Sequence, residues 1–196
     1  MGEKPQIAVL VLAAGASTRM GGALKQLLPW KDTTLLGHAI SQAKASKADD
    51  VFIVLGAQAS KLRSQFGQNG TTLVENEQWA LGMGTSIACG VAYLTDHKKD
   101  WDGVLVMLCD QPLVDTAYLN TLIDTFTANG IVATDYGGRR GVPALFSTTF
   151  FQELALLKED YGAREVLLRH REDVIVLNGV GKTADVDTPE DYKNLK

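Results

Sequence analysis

The stretch LAAGASTRMGGALKQLLPW, residues 12 to 30, sets Gly15, Gly21 and Gly22 beside the Ser17 and Thr18 hydroxyls, the Arg19 guanidinium and the Lys25 ammonium. Unpaired backbone N–H groups in a glycine-rich loop attract an anion, and a guanidinium fork with an ammonium converges readily on a polyphosphate. The chemistry this set favours is the binding of a nucleoside triphosphate. Ser17 stands where a dinucleotide-binding G-x-G-x-x-G loop needs its second glycine, and G-x-x-x-x-G-K-[ST] is absent. A plain glycine turn with solvated cations is the competing reading.

Carboxylates supply the second half of the chemistry. In CDQP, 109 to 112, Asp110 follows an apolar run, and in ADVDTPED, 184 to 191, Asp185 and Asp187 precede a helix start. Magnesium takes one or two carboxylates with phosphate oxygens and waters, so Asp110 and Asp187 form a candidate metal pair. The competing readings are a turn aspartate before Gln111-Pro112 and a helix cap at Asp187. GGRRG, 137 to 141, is either a solvated turn or brings Arg139 or Arg140 to an acceptor phosphate. His38, His97 and His170 lack ligand spacing and read as surface or helix-end residues. Cys89 and Cys109 read as buried thiols, Trp79 and Trp101 as packing residues, and Trp30 as a residue bordering the cleft.

These groups need a frame that brings them to one edge. Buried strands are expected over Ile7 to Ala13, 49 to 56, 71 to 76, 103 to 110, Ile131 to Asp135 and Asp173 to Leu177, with a short strand in YGGRRGVPALF. Helical patterns run from Thr33 or Thr34 to about Lys47, Ala57 to Phe66, Thr85 to Leu94, Asp115 or Thr116 to Ala128, Thr149 to Leu157 and Gly162 to His170. A last helix has Thr188 as cap and Pro189 at its first position. Alternation of this kind implies right-handed crossovers and an α/β three-layer sandwich with a mainly parallel sheet. No linker or repeat divides residues 1–196, which are expected to form a single domain.

Forty-five per cent hydrophobic and 21% charged residues fit a globular chain, and a net charge of −4 gives no basic field for nucleic acid. The apolar run at residues 7 to 14 is too short to span a bilayer and lacks a signal-peptide pattern, so the expected location is cytoplasmic.

LAAGASTRMGGALKQLLP, CDQP and DVDTPED together resemble the MobA-like nucleotidyltransferases. LLPW followed by TTLLGHAI is most similar to the molybdenum cofactor cytidylyltransferases, the MocA-like branch, and NEQWALGMGTS, GVPALF and YGAREVL resemble its later blocks. The likeness runs nearly the whole length. It implies a Rossmann-like fold of the nucleotide-diphospho-sugar transferase type, and magnesium-dependent transfer of CMP from CTP to the phosphate of molybdopterin. By the same resemblance Ala13, Ala14, Gly15 and Ser17 contact the nucleotide, Arg19 and Lys25 bind its phosphates, and Asn76, Gly82 and Ser86 line the base and ribose pocket. Arg19, Lys25 and Asp110 would carry catalysis, Asp110 and Asp187 would hold magnesium, and a molybdenum hydroxylase would receive the product. Guanylyl-transferring relatives show LAGG where this chain has Ala13 and Ala14, which favours cytidine. Val142 replaces the polar residue before the proline of the GxP block, and Glu159-Asp160 replaces a GD pair. The alternatives are a sugar phosphate or methylerythritol phosphate acceptor, or a chaperone that binds finished cofactor.

Overall fold

The computed structural model describes residues 4–67, 70–97, 99–182 and 184–196. Seven strands form one sheet: β1 (Ile7–Ala13), β4 (Asp50–Leu55), β5 (Thr72–Glu75), β6 (Gly103–Leu108), β7 (Ile131–Asp135), β8 (Arg140–Ser147) and β9 (Val174–Asn178). Their spatial order is β5-β4-β1-β6-β8-β7-β9. Two-residue strands β2 (Pro29–Trp30) and β3 (Thr33–Thr34) make a separate ribbon after the glycine-rich loop.

Both faces of the sheet are covered, which is why its central strands read as unbroken apolar runs. Helices α1 (Leu35–Lys44), α2 (Ala59–Phe66) and α4 (Thr116–Thr125) pack Leu36, Ile40, Leu62, Leu119 and Leu122 against Val9, Val11 and Leu105 on one face. Helices α3 (Met83–Asp96), α5 (Phe151–Ala155) and α6 (Gly162–Arg169) pack Ile87, Val91, Leu94, Leu154 and Val166 against Leu10, Val54, Val106 and Phe146 on the other. The expected α/β three-layer sandwich with a mostly parallel sheet is what forms.

One strand runs against the rest. β8 pairs antiparallel with both β6 and β7, while β1, β4, β5 and β6 pair in parallel, as do β7 and β9. The Tyr136 N–H donates to the Arg139 carbonyl at 2.8 Å, closing a hairpin turn that sends the chain straight back. Element ends also shift from the pattern. α1 stops at Lys44, where Ser46 donates its hydroxyl to the Ala43 carbonyl, and α3 starts two residues before Thr85.

The chain builds outward from β1 through β4 to β5, then returns by α3 to place β6 on the other side of β1. The strand order therefore reverses between β1 and β6, and the crevice at their carboxyl ends is where such sheets take ligands. α7 (Pro189–Leu195) starts on the expected cap: Thr188 accepts from the Asp191 N–H while the Asp191 carboxylate accepts from the Thr188 N–H.

Candidate active site

The loop leaving β1 owes its shape to Gln26, a side chain with no exposed surface. Its amide nitrogen donates to the carbonyls of Ala13 and Gly15 at 3.1 and 2.8 Å, and its oxygen accepts from the Ser17 hydroxyl at 3.1 Å. Ser17 accepts in turn from the Lys25 N–H at 3.0 Å. Gly21 and Gly22 take φ values of 61° and 95°, where a side chain would be strained, and so let the loop double back to Lys25.

Lys25 is the centre of charge. Its ammonium lies against Asp110 Oδ2 and 3.2 Å from Asp187 Oδ1, while the Arg19 guanidinium reaches Asp187 Oδ2 at 3.0 Å. Burial alone would lower the Lys25 pKa, but the Asp110 charge and hydrogen bond, with Asp187 behind them, hold it above the ordinary lysine value. The Val186 N–H donates to the Asp110 carbonyl at 2.9 Å, and Val186 is wholly buried with Trp30 and Leu35, so the late segment is pinned beside the end of β6. Asp185 titrates above the usual carboxylate range, through desolvation first and then through Asp110 and Asp187.

A cavity of about 560 Å³ opens at this point. Ala13, Ala14, Gly15, Ser17, Arg19 and Lys25 line it from the loop, Gly82 and Ser86 from the start of α3, and Asp110 and Asp187 from the far wall. Asn76 stands behind Ser86: its amide donates to the Thr85 and Ser86 hydroxyls at 2.9 and 3.0 Å and its oxygen accepts from the Gln78 N–H. Asn76 thus sets the position of Ser86 without facing the space itself. Asp110 Oδ1 is buried and has no hydrogen-bond partner among the described residues. A carboxylate oxygen so placed fits a divalent cation, whose preference is for hard oxygen ligands.

A second cavity of about 570 Å³ adjoins the first across Met83, Leu108 and Asp185. Arg139, Arg140 and Arg164 line it, so the two arginines of the glycine turn do reach a cleft. Arg164 carries no spacing signal of its own. Gln26 also escapes sequence reasoning, its only mark being its place directly after Lys25.

Four smaller expectations are corrected. Trp30 does not border the cleft: it is buried against Leu35 and Val186. Trp79 lines the first cavity, resting where a Cβ on Gly56 would lie 2.4 Å from its own Cβ. His38 is buried rather than superficial, with its ring 6.4 Å from that of Trp30. Cys109 is buried as expected, whereas Cys89 is half-buried.

The profile of the MobA-like NTP transferase domain matches residues 9–174. Among curated proteins, nicotine blue oxidoreductase of Paenarthrobacter nicotinovorans is 31% identical over 202 residues, covering 97% of each chain. Purine catabolism protein PucB of Bacillus subtilis is 29% identical over 203 residues, covering 98% of this chain and 97% of PucB. Among solved structures, the manganese complex of Rv0371c from Mycobacterium tuberculosis is 35% identical with a TM-score of 0.79, covering 97% of both chains. Among the described residues no helix is long and apolar enough to cross a membrane.

Proposed function

Because the chain belongs to the MobA-like NTP transferase family, and is a nucleotidyltransferase on that account, we propose that it moves CMP from CTP to the phosphate of a molybdopterin-type acceptor. Residues 1–196 act as one domain, in the cytoplasm, and the product passes to a molybdenum hydroxylase. The observation that carries the reading is the Lys25 ammonium held between Asp110 and Asp187 beside an anion-binding loop, at the reversal point of the sheet.

The loop from Ala13 to Ser17 and the Arg19 and Lys25 side chains take the triphosphate, and Gly82 and Ser86 border the sugar and base, with Asn76 fixing Ser86. The Ala14 side chain, where the LAGG of guanylyl-transferring relatives has a glycine, favours the smaller cytosine. The three arginines of the second cavity hold the acceptor phosphate in line with the α-phosphorus. An acceptor oxygen, already ionised at neutral pH, forms the new P–O bond while the bond between the α-phosphorus and the bridging oxygen breaks. That electron pair leaves with pyrophosphate, where Arg19 and Lys25 meet the departing charge. No protein nucleophile or proton acceptor is needed. Asp110 and Asp187 are the residues that would hold magnesium, which, when bound, neutralises the crowded phosphate oxygens. The manganese complex of Rv0371c supports a divalent metal in this role.

The test is pyrophosphate release by the pure protein with magnesium, molybdopterin and each of CTP, GTP, ATP and UTP. Release with CTP alone is expected, and a GTP preference would refute the base assignment. Turnover only with methylerythritol phosphate or a sugar phosphate would change the acceptor. Maturation of an apo-hydroxylase by an Asp110→Asn variant would favour the chaperone alternative. Since one relative is named an oxidoreductase, nicotinamide cofactor oxidation is followed in parallel, and its appearance without pyrophosphate would overturn the transfer reading.

A further inference from the structure

Residues 184–196 stand apart from the two cores that flank the sheet. α7 buries none of its own residues, and Val186 sits in a small separate cluster with Trp30 and Leu35. The polar contacts of the segment run to two places. Just past β6, the Val186 N–H donates to the Asp110 carbonyl and the Gln111 amide donates to Asp185 Oδ1, each at 2.9 Å. At the phosphate-binding loop and its exit, Asp187 pairs with Arg19 and Lys25, and the Tyr192 hydroxyl donates to the Pro29 carbonyl.

Asp187 is tied to α7. Its N–H donates to Asp191 Oδ2 at 3.2 Å, and the same carboxylate closes the Thr188 capping box, so carboxylate, cap and helix form one unit. Ahead of that unit, Lys182 fastens the chain to Asp115 at the start of α4. The cations that hold the unit have a second use. Arg19 and Lys25 line the first cavity, with the Arg19 side chain two-thirds exposed and open to a ligand. A triphosphate there competes with Asp187 for both cations and brings several negative charges towards Asp110 and Asp187. What then holds the segment is chiefly the small apolar cluster. A divalent cation arriving with the triphosphate reverses the effect, because both carboxylates then face a positive charge.

Resting on the nucleotidyl-transfer reading above, we propose that residues 184–196 form a latch that senses whether the triphosphate has arrived with its divalent cation: metal-free nucleotide loosens it, and nucleotide with metal draws it tight against Asp110. A ligand shifts such an equilibrium only by its differential affinity for the two states. The charge set beside Asp187 decides the sign of that difference, so the two ligand states push the segment in opposite directions.

Hydrogen–deuterium exchange of the full chain, read by mass spectrometry on peptides from residues 13–25 and 184–196, tests the latch without turnover. Three states are compared: EDTA alone, CTP with EDTA, and CTP with manganese. CTP is expected to protect 13–25 in both of its states. Relative to EDTA alone, exchange in 184–196 runs about tenfold faster with CTP and EDTA and about tenfold slower with CTP and manganese. In Asp187→Asn, which keeps the size and removes the charge, CTP with EDTA no longer accelerates exchange. Tyr192→Phe, which loses the bond to Pro29, speeds exchange in all three states and keeps their order. A segment that only completed the fold would answer to Tyr192→Phe but not to the ligands. Equal exchange of 184–196 in the three states, with 13–25 protected, overturns the latch and leaves the transfer reading standing. Slowing by CTP in EDTA, or an acceleration that persists in Asp187→Asn, overturns it as well. Absence of protection at 13–25 refutes the transfer reading and the latch with it.

Discussion

Replacing Lys25 with Met removes one charge, keeps the side-chain bulk, and should make the protein a better metal binder while ruining it as a transferase. The ammonium already pairs with both candidate metal carboxylates, so a divalent cation has to displace it. At the 3.2 Å separation from Asp187, the attraction is about 5 kcal/mol at an effective dielectric of ~20 and about 1.3 kcal/mol at ~80. Asp187 is one-third exposed, which favours the lower end. Relief of about 1.4–2.8 kcal/mol corresponds to manganese affinity rising about 10- to 100-fold without nucleotide. The metal-free variant leaves Asp110 without its cation and Asp187 with Arg19 alone, a loss of about 3 kcal/mol or a Tm lower by roughly 6–12 °C. Added manganese should restore that Tm. Free and bound manganese are counted by electron paramagnetic resonance, and the melt is followed by circular dichroism. Manganese affinity that is unchanged or weaker in Lys25→Met would refute the claim that the lysine occupies the cation position.

Other perturbations test other parts of the reasoning. Asp110→Asn keeps the shape and removes the charge, and pyrophosphate release should fall by about 10³-fold or ~4 kcal/mol, with a circular dichroism spectrum like that of the parent. Gln26→Leu strands the Ala13 and Gly15 carbonyls and the Ser17 hydroxyl; a loss of about 3 kcal/mol in urea denaturation and a higher KM for nucleotide are expected, and an unchanged KM would count against loop pre-organisation. His38 titrates below the usual histidine range, through burial and then the Lys31 charge, with the Pro112 carbonyl opposing. The unfolded chain therefore takes a proton that the folded chain refuses. Stability should fall as pH drops below about 6.5, by no more than about 1.4 kcal/mol per pH unit, and His38→Gln should remove that part of the slope in urea midpoints taken from pH 7 to pH 5.

Local signals made much of this molecule readable. β1 and β6 are apolar without interruption because helices cover both faces, and Thr34, Asp115 and Thr188 are caps of the kind their side chains permit. Gly15, Arg19, Lys25 and Asp110 announce themselves because a glycine turn, two cations and a carboxylate gather in the segments that follow two unbroken apolar runs. What stayed hidden depends on distant partners. The direction of β8 is decided by a four-residue turn, and the burial of Trp30 by Val186, which no periodicity near residue 30 foretells. Gln26 and Gln111 are neutral amides, and only the folded chain shows that each is buried and which groups its amide nitrogen meets.

The hydrogen bond from Val186 to Asp110, and the meeting of Lys25 with Asp187 across 162 residues of chain, also set a timetable. A ribosome adding about 5–20 residues per second needs roughly 8–32 s to go from one member of that pair to the other. Throughout that interval the nascent phosphate loop carries its cations without the carboxylate they will later face. The complete site therefore cannot close until the last segment of the chain has been made, and it is the part of the molecule that forms last.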